Sequence, residues 1–265
     1  ALRVAEPPLA LSIDTSLASV AEAALDAGFV LVNDVTAGRL DPGLLPLIIT
    51  PMTLNMEIMA ESASLLHPNQ LLLEVKGGKA NRWVEVPQEG GTTLDIQARQ
   101  VAANEVHVRL FDPAFAIPSA EITAVFGAQY PPSALAEAVT DQHITPDAAA
   151  RAREIYAQKF MLHGPRFQVI AGWTQVGSQE VEAHLRAPAD NDLFAAIGAP
   201  RLLLNPLLLD GCAQLVGHWA QIGLREKFIT FPAGVQHIRF FSAPPRPGQL
   251  LKCRMRISEI DDHFV

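Results

Sequence analysis

The hydrophobic pattern changes character twice along the chain. Over residues 9–35, short apolar runs at Leu9–Ile13 and Phe29–Val32 flank an Ala-rich stretch, Leu17–Ala27. Its apolar positions Val20, Ala21, Ala24 and Leu25 fall at helical spacing. Asp14-Thr15-Ser16 offers a cap and Gly28 a stop. This predicts strand–helix–strand, the unit of a parallel pair. After Ile49 the rhythm becomes long helices and runs of short strands. Thr50 caps and Pro51 opens a helix to about Leu66. Strands are predicted at Leu71–Val75, Arg82–Val86, Thr93–Arg99, Val106–Phe111 and Ile122–Phe126, with turns at Gly77-Gly78 and Gly90-Gly91. Thr93–Arg99 and Val106–Leu110 alternate apolar and polar residues, as half-buried antiparallel strands do.

Residues 130–144, with Pro131-Pro132, read as a connector. Thr145-Pro146 opens a helix to about Phe160. Strands return at Phe167–Val176 and Val181–Arg186. Asn205-Pro206 opens a strongly apolar helix to about Leu224, followed by strands at Phe228–Phe231, Val235–Phe241 and Leu250–Ile257. The second and third parts thus repeat one plan, a long apolar helix with an antiparallel sheet. That is an α+β arrangement.

Composition narrows the classes. Of the 265 residues, 49% are hydrophobic and 18% charged, so a packed core forms and disorder is excluded as the main state. The net charge of −8 argues against nucleic acid or an anionic membrane as the main partner. No apolar run reaches the ~18 residues of a spanning helix, and no basic-then-apolar leader opens the chain. Two cysteines, Cys212 and Cys253, cannot build a disulfide framework or a four-cysteine zinc site, and a cytoplasmic setting is expected. An opening Ala1 and an end in a strand-like segment suggest a piece of something longer.

Two segments carry candidate chemistry. In Asn205-Pro206-Leu207-Leu208-Leu209-Asp210-Gly211-Cys212-Ala213-Gln214 an Asp interrupts an apolar helix, and Gln214 and His218 follow it on one stripe. A carboxyl group in apolar surroundings suits general-acid work. The plainer alternatives are a buried Asp that caps a neighbouring backbone, or a stripe that faces a wet cleft. In Leu162-His163-Gly164-Pro165-Arg166-Phe167-Gln168, Gly-Pro fixes a turn, Phe167 can anchor it, and His163 sits at the turn. That alone favours a surface His. Glu57 and Glu61 share a face of the first helix, where Glu residues usually meet solvent or cap a neighbour. The Gly pairs lack the helix and Lys of a phosphate loop, and no zinc spacing or nucleophile elbow occurs.

Together, residues 162–168, Asn205-Pro206, Leu209–Gln214 and the helix Pro51–Glu61 resemble the dehydratase domain of type I polyketide synthases and polyunsaturated-fatty-acid synthases, over about residues 40–265. The resemblance implies a double hotdog, two long helices each wrapped by an antiparallel sheet. It divides the chain at 48–130 (first half), 131–155 (connector) and 156–265 (second half, truncated at its end). It implies loss of water from a β-hydroxyacyl thioester on an acyl carrier protein, with no cofactor beyond the carrier's phosphopantetheine. Asp210 matches the family's acid and Gln214 its hydrogen-bond partner. His163, counted with Asp210 and Gln214 in the catalytic set, stands where the family has Tyr and would line the tunnel or touch substrate, with Gly164, Pro165, Phe167, Pro206 and His218 as substrate-binding positions. Partners would be the carrier protein, neighbouring synthase domains and a second copy, with docking near Arg166 or Arg201. The family's base, a His before the first helix, aligns with Val35, which cannot take a proton. An inactive structural domain is therefore the alternative.

Residues 9–47 resemble something else. Ser12-Ile13-Asp14-Thr15, Asn33-Asp34-Val35 and Asp41-Pro42 are similar to one strand–helix–strand unit of dihydropteroate synthase, with Asp14 and Asn33 at its pterin-contacting positions. That family's barrel needs eight such units, so residues 1–47 read either as a fused fragment of a pterin-binding dihydropteroate synthase or as a divergent start of the first hotdog.

Overall fold

A computed structural model describes residues 12–14, 20, 23, 31–33, 48–49, 52–82, 84–86, 92–133, 143–157, 165–188, 202–223 and 234–258. Val35, His163, Gly164, Arg201, the Thr50-Pro51 cap and the strand expected at Phe228–Phe231 lie outside them. Strands β1 (Ser12–Asp14) and β2 (Leu31–Asn33) pair in parallel, Ile13 opposite Val32. This is the parallel pair that the opening pattern predicts.

The chain divides into two compact units. One comprises Ala1–Leu66, Val75–Val125 and Ala233–Ile238; the other comprises His67–Glu74, Phe126–Pro232 and Arg239–Val265. In the first, β3 (Ile48–Ile49) pairs antiparallel with β5 (Glu85–Val86). Helix α1 (Met52–Ser64) packs against β7 (Glu105–Phe111). It buries Met52, Met56, Met59, Ala60 and Ala63, and β7 buries Val106, Val108 and Leu110. The sheet runs in the order β11-β4-β8-β7-β6, with β4 at Leu71–Ala80, β6 at Asp95–Ala102, β8 at Ala120–Gly127 and β11 at Gly234–Arg239.

Three features of this unit depart from the sequence expectation. Strand β7 alternates as predicted, but β6 is exposed along its whole length, Ile96 and Val101 included. Alternation reports a strand's period, not whether a second layer covers it, and β6 closes the described sheet. Glu57 does not face solvent: it is 0% exposed, on the buried side of α1 with Thr53, Met56 and Ala60. Strand β11, within 156–265, joins the first unit's sheet beside β4. The two backbones meet so closely that a Cβ on Gly234 would lie 3.0 Å from the Gly78 carbonyl oxygen, a space that favours glycine.

In the second unit, Thr145 caps helix α2 (Pro146–Ala157), its Oγ1 accepting the Ala148 N–H at 3.3 Å. This helix, partly inside the stretch assigned to a connector, packs against β9 (Ile170–Val176). Pro165–Phe167 form a 3₁₀ turn ahead of β9 rather than part of the strand. Strand β10 (Glu180–Arg186) lies between β9 and β12 (Leu250–Arg256), antiparallel to both. Helix α3 (Pro206–Gly223) packs on all three. Leu207, Leu208, Leu215, Trp219 and Ala220 meet Val169, Ile170, Trp173, Val181, Ala183 and Leu185 in one core. A helix seated on an antiparallel sheet recurs in both units, as the α+β reading expects. Among the described residues no helix is long and apolar enough to cross a membrane.

Candidate active site

The site grows from the start of α3. Asn205 adopts a left-handed backbone, φ 53°, a region that Asn tolerates better than most residues. Its Oδ1 accepts the Leu208 N–H at 3.2 Å and its carbonyl accepts the Leu209 N–H at 3.2 Å. Pro206 then takes the first helical position, where no N–H is required. This fixes where the helix begins and which face turns inward. Asp210, Gln214 and His218 follow at one-turn intervals on that face, 7%, 1% and 2% exposed.

A continuous hydrogen-bonded chain holds Asp210. The Gln214 Nε2 donates to Asp210 Oδ2 at 2.8 Å and to the Phe167 carbonyl at 2.8 Å. The Gln214 Oε1 accepts from the Tyr156 hydroxyl at 2.9 Å, and the Tyr156 oxygen accepts the Ile170 N–H at 3.1 Å. The tyrosine donor orients the amide, so its NH₂ faces the carboxylate and the turn. Burial pushes the Tyr156 hydroxyl up to about 12; the Ile170 N–H opposes this and the Asp210 charge adds to it. Tyr156 therefore remains a donor across ordinary pH. Its ring also lines a cavity of about 450 Å³ with Ile144, Ala152, Ile170 and Arg186, and neither Asp210 nor Gln214 is in that wall.

The helix packs tightly just beside the acid. A Cβ on Gly211 would lie 2.3 Å from Val169 Cγ2, so only glycine admits this approach without displacement. Further along, His218 meets Trp173 edge to face, centroids 5.7 Å apart, and Trp219 Nε1 donates to the Gly177 carbonyl at 3.0 Å.

Of the residues singled out in the sequence, Asp210, Gln214 and the Phe167 backbone come together directly. Pro165 belongs to the same 3₁₀ turn as Phe167, Pro206 opens α3, and His218 lies two turns along the same face. The sequence reading missed Tyr156. Its only signal is a tyrosine beside the buried stripe Ala148, Ala152 and Ile155 of α2. Among the described residues no group of three His, Cys, Asp or Glu side chains could hold a metal.

Two stretches of the chain match known families. Residues 133–263, which contain the whole Asp210 network, match the family described as polyketide synthase dehydratase N-terminal domain. The fold is a double hotdog, like that of the dehydratase domain from the CurF module of curacin polyketide synthase. That likeness has a TM-score of 0.58 at 17% identity and covers 81% of this chain and 75% of that one. An inactive mutant of the CurK dehydratase, with an Asp replaced by Asn, is similar at TM-score 0.57 and 14% identity, covering 80% and 75%. Residues 2–65 match the family described as pterin binding enzyme. Within the chain, 40 residues are 52% identical to dihydropteroate synthase of Mycobacterium leprae, which is 15% of this chain and 14% of that enzyme. Both resemblances read from the sequence are therefore present, and the pterin-enzyme match extends past residue 47 through α1.

Proposed function

We propose that the protein is a dehydratase domain of a polyketide or fatty-acid synthase, removing water from a β-hydroxyacyl thioester carried on the phosphopantetheine of an acyl carrier protein. The observation that carries this reading is the Asp210–Gln214 pair. A carboxyl group is held in an apolar helix by an amide that the Tyr156 hydroxyl and the Phe167 carbonyl orient in turn. The amide N–H holds the carboxyl group through Oδ2, and the same carboxyl group carries the acid proton. From there it passes to the departing β-hydroxyl, which leaves as water while a base takes the α-proton and the Cα–Cβ double bond forms. The chemistry is acid–base and draws on no resident cofactor. In the CurK dehydratase, an Asp-to-Asn mutant is inactive. The carrier protein, the neighbouring synthase domains and a second copy of the chain are the partners this reading implies.

A second reading has an observation of its own. The family's base aligns with Val35, inside the stretch that matches the pterin binding enzymes. On that reading the second unit keeps the acid but the chain lacks the base, and the domain is structural. One assay separates the two. The full chain is incubated with a β-hydroxyacyl thioester and enoyl product is followed. Turnover by the native protein, lost in a folded Asp210→Asn variant, supports the dehydratase. Equal turnover in both removes Asp210 as the acid. No turnover by the native protein, with activity appearing in Val35→His, supports the structural reading.

A further inference from the structure

The chain's two cysteines lie on different elements of the second unit, yet their sulfur atoms meet. Cys212 Sγ, on α3, is 3.7 Å from Cys253 Sγ, on β12. We propose that Cys212 and Cys253 form a reversible redox pair that closes to a disulfide tying α3 to β12, two residues from Asp210. This is independent of the proposed dehydration.

The geometry favours closure. A disulfide holds its sulfurs at about 2.05 Å, so an approach of less than about 2 Å suffices. At Gly211, one residue before Cys212, helix α3 has no room for even a Cβ beside Val169. The adjustment falls on β12, the outer strand of the described three-stranded sheet. Cys253 is paired there with Ala183, whose small side chain leaves the sulfur facing the helix. Both thiols are half-buried, within reach of a small oxidant.

The two sulfurs are not equivalent. The contact between the sulfurs, in which either can donate, pushes the Cys212 thiol up, with burial and the Asp210 charge adding to it. The same contact pulls the Cys253 thiol down, against the effect of burial. The thiolate is the nucleophile, so Cys253 reacts first. With a peroxide as oxidant, Cys253 S⁻ attacks one peroxide oxygen, the O–O bond breaks, and the product is Cys253 sulfenic acid and hydroxide. Cys212 then attacks that sulfur, the S–O bond breaks, and one water leaves as the S–S bond forms. In sum, one peroxide takes two thiol hydrogens and becomes two waters. A low-molecular-weight disulfide reaches the same product by two thiol exchanges.

The test uses the full reduced chain treated with dilute hydrogen peroxide, then with an alkylating reagent, and digested without reductant. The expected result is one crosslinked pair of peptides carrying Cys212 and Cys253, lighter by two hydrogens, with both sites protected from alkylation and reopened by dithiothreitol. In Cys212→Ser, Cys253 is expected to stop at a sulfenic acid that a dimedone probe captures, whereas in Cys253→Ser the remaining Cys212 stays largely unmodified. Full alkylation of both cysteines after peroxide in a chain that is folded by circular dichroism would overturn the proposal. Sulfinic acid at Cys253 without a crosslink, or linkage only between chains, would do the same.

Discussion

Gln214 sits one helical turn beyond Asp210 and donates to its Oδ2 at 2.8 Å, while its other polar contacts reach a helix and a turn distant in sequence. The amide is therefore the junction of three elements: α3, α2 and the turn at Phe167. Removing it takes one partner at once from the Tyr156 hydroxyl, Asp210 and the Phe167 carbonyl, and a buried group left unmet costs about 1–3 kcal/mol. Gln214→Leu is expected to lower the unfolding free energy by about 2–4 kcal/mol. Gln214→Glu keeps the acceptor for Tyr156 but faces Asp210 and the Phe167 carbonyl with a carboxylate. A like charge disfavours ionisation, so this variant should lose more stability at pH 8 than at pH 5. Urea unfolding at the two pH values measures both effects; equal losses would show that the amide is not pressed against the carboxylate.

Tyr156 gives the site an alkaline limit. Its hydroxyl stands at about 12, above the ordinary value of 10.0. Below pH 10 the tyrosine is neutral folded or unfolded, and its contribution is fully present. Between about 10 and 12 the unfolded chain ionises while the folded one holds its proton, so stability falls as pH rises. The whole effect is on the order of 2–3 kcal/mol. Tyr156→Phe should be less stable at neutral pH, having lost a donor to Gln214 and an acceptor for Ile170. It should also show a shallower decline from pH 10 to 12. A native-like alkaline slope in Tyr156→Phe would mean that another group sets the limit.

Local chemistry made part of this site legible. Asp210 and Gln214 share a helix, so spacing alone put them on one face, and the caps at Thr145 and Asn205 are side-chain signals with a fixed offset. The parallel β1–β2 pair was equally local. What spacing could not show was tertiary. Tyr156 is 58 residues from Gln214, and no period within α2 reports that partner. The sequence left Glu57 either facing solvent or capping a neighbour, because helix spacing carries no information about which face a sheet covers, and it is buried. Strand β6 alternates like a covered strand but lies at the edge of the described sheet. Strand β11 follows α3 in sequence and yet pairs with β4, where Gly78 and Gly234 allow the backbones to meet.

Asn205 combines two roles that can be separated. Its side chain caps α3 and its backbone is left-handed. Asn205→Ala loses the cap and forces a Cβ-bearing residue with no compensating polar group into that backbone. About 1 kcal/mol is expected for each. Asn205→Gly loses the cap but relieves the backbone, so it should recover roughly half of the loss. Thermal unfolding of the three proteins checks this. An alanine variant as stable as the glycine variant would show that the backbone imposes no cost.

Gly211 sets how closely α3 approaches the sheet beside the acid. In an exposed helix, Gly→Ala stabilises by about 1 kcal/mol. Here the added methyl would lie 2.3 Å from Val169 Cγ2, well inside contact distance, with Leu185 Cδ1 at 3.6 Å behind it. Overpacking of this kind costs about 1–3 kcal/mol, so the net effect of Gly211→Ala should be destabilising. Val169 also links the two halves of the site through its backbone: its N–H donates to the Phe167 carbonyl and its own carbonyl accepts the Arg186 N–H. Displacing it would disturb the turn that Gln214 grips. The double variant Gly211→Ala/Val169→Ala removes the clashing methyls while leaving those backbone bonds in place. It should be more stable than the sum of the two single changes by at least about 1 kcal/mol, a coupling expected only between groups in direct contact. Strict additivity in a double-mutant cycle would mean that α3 does not seat against Val169 through this glycine.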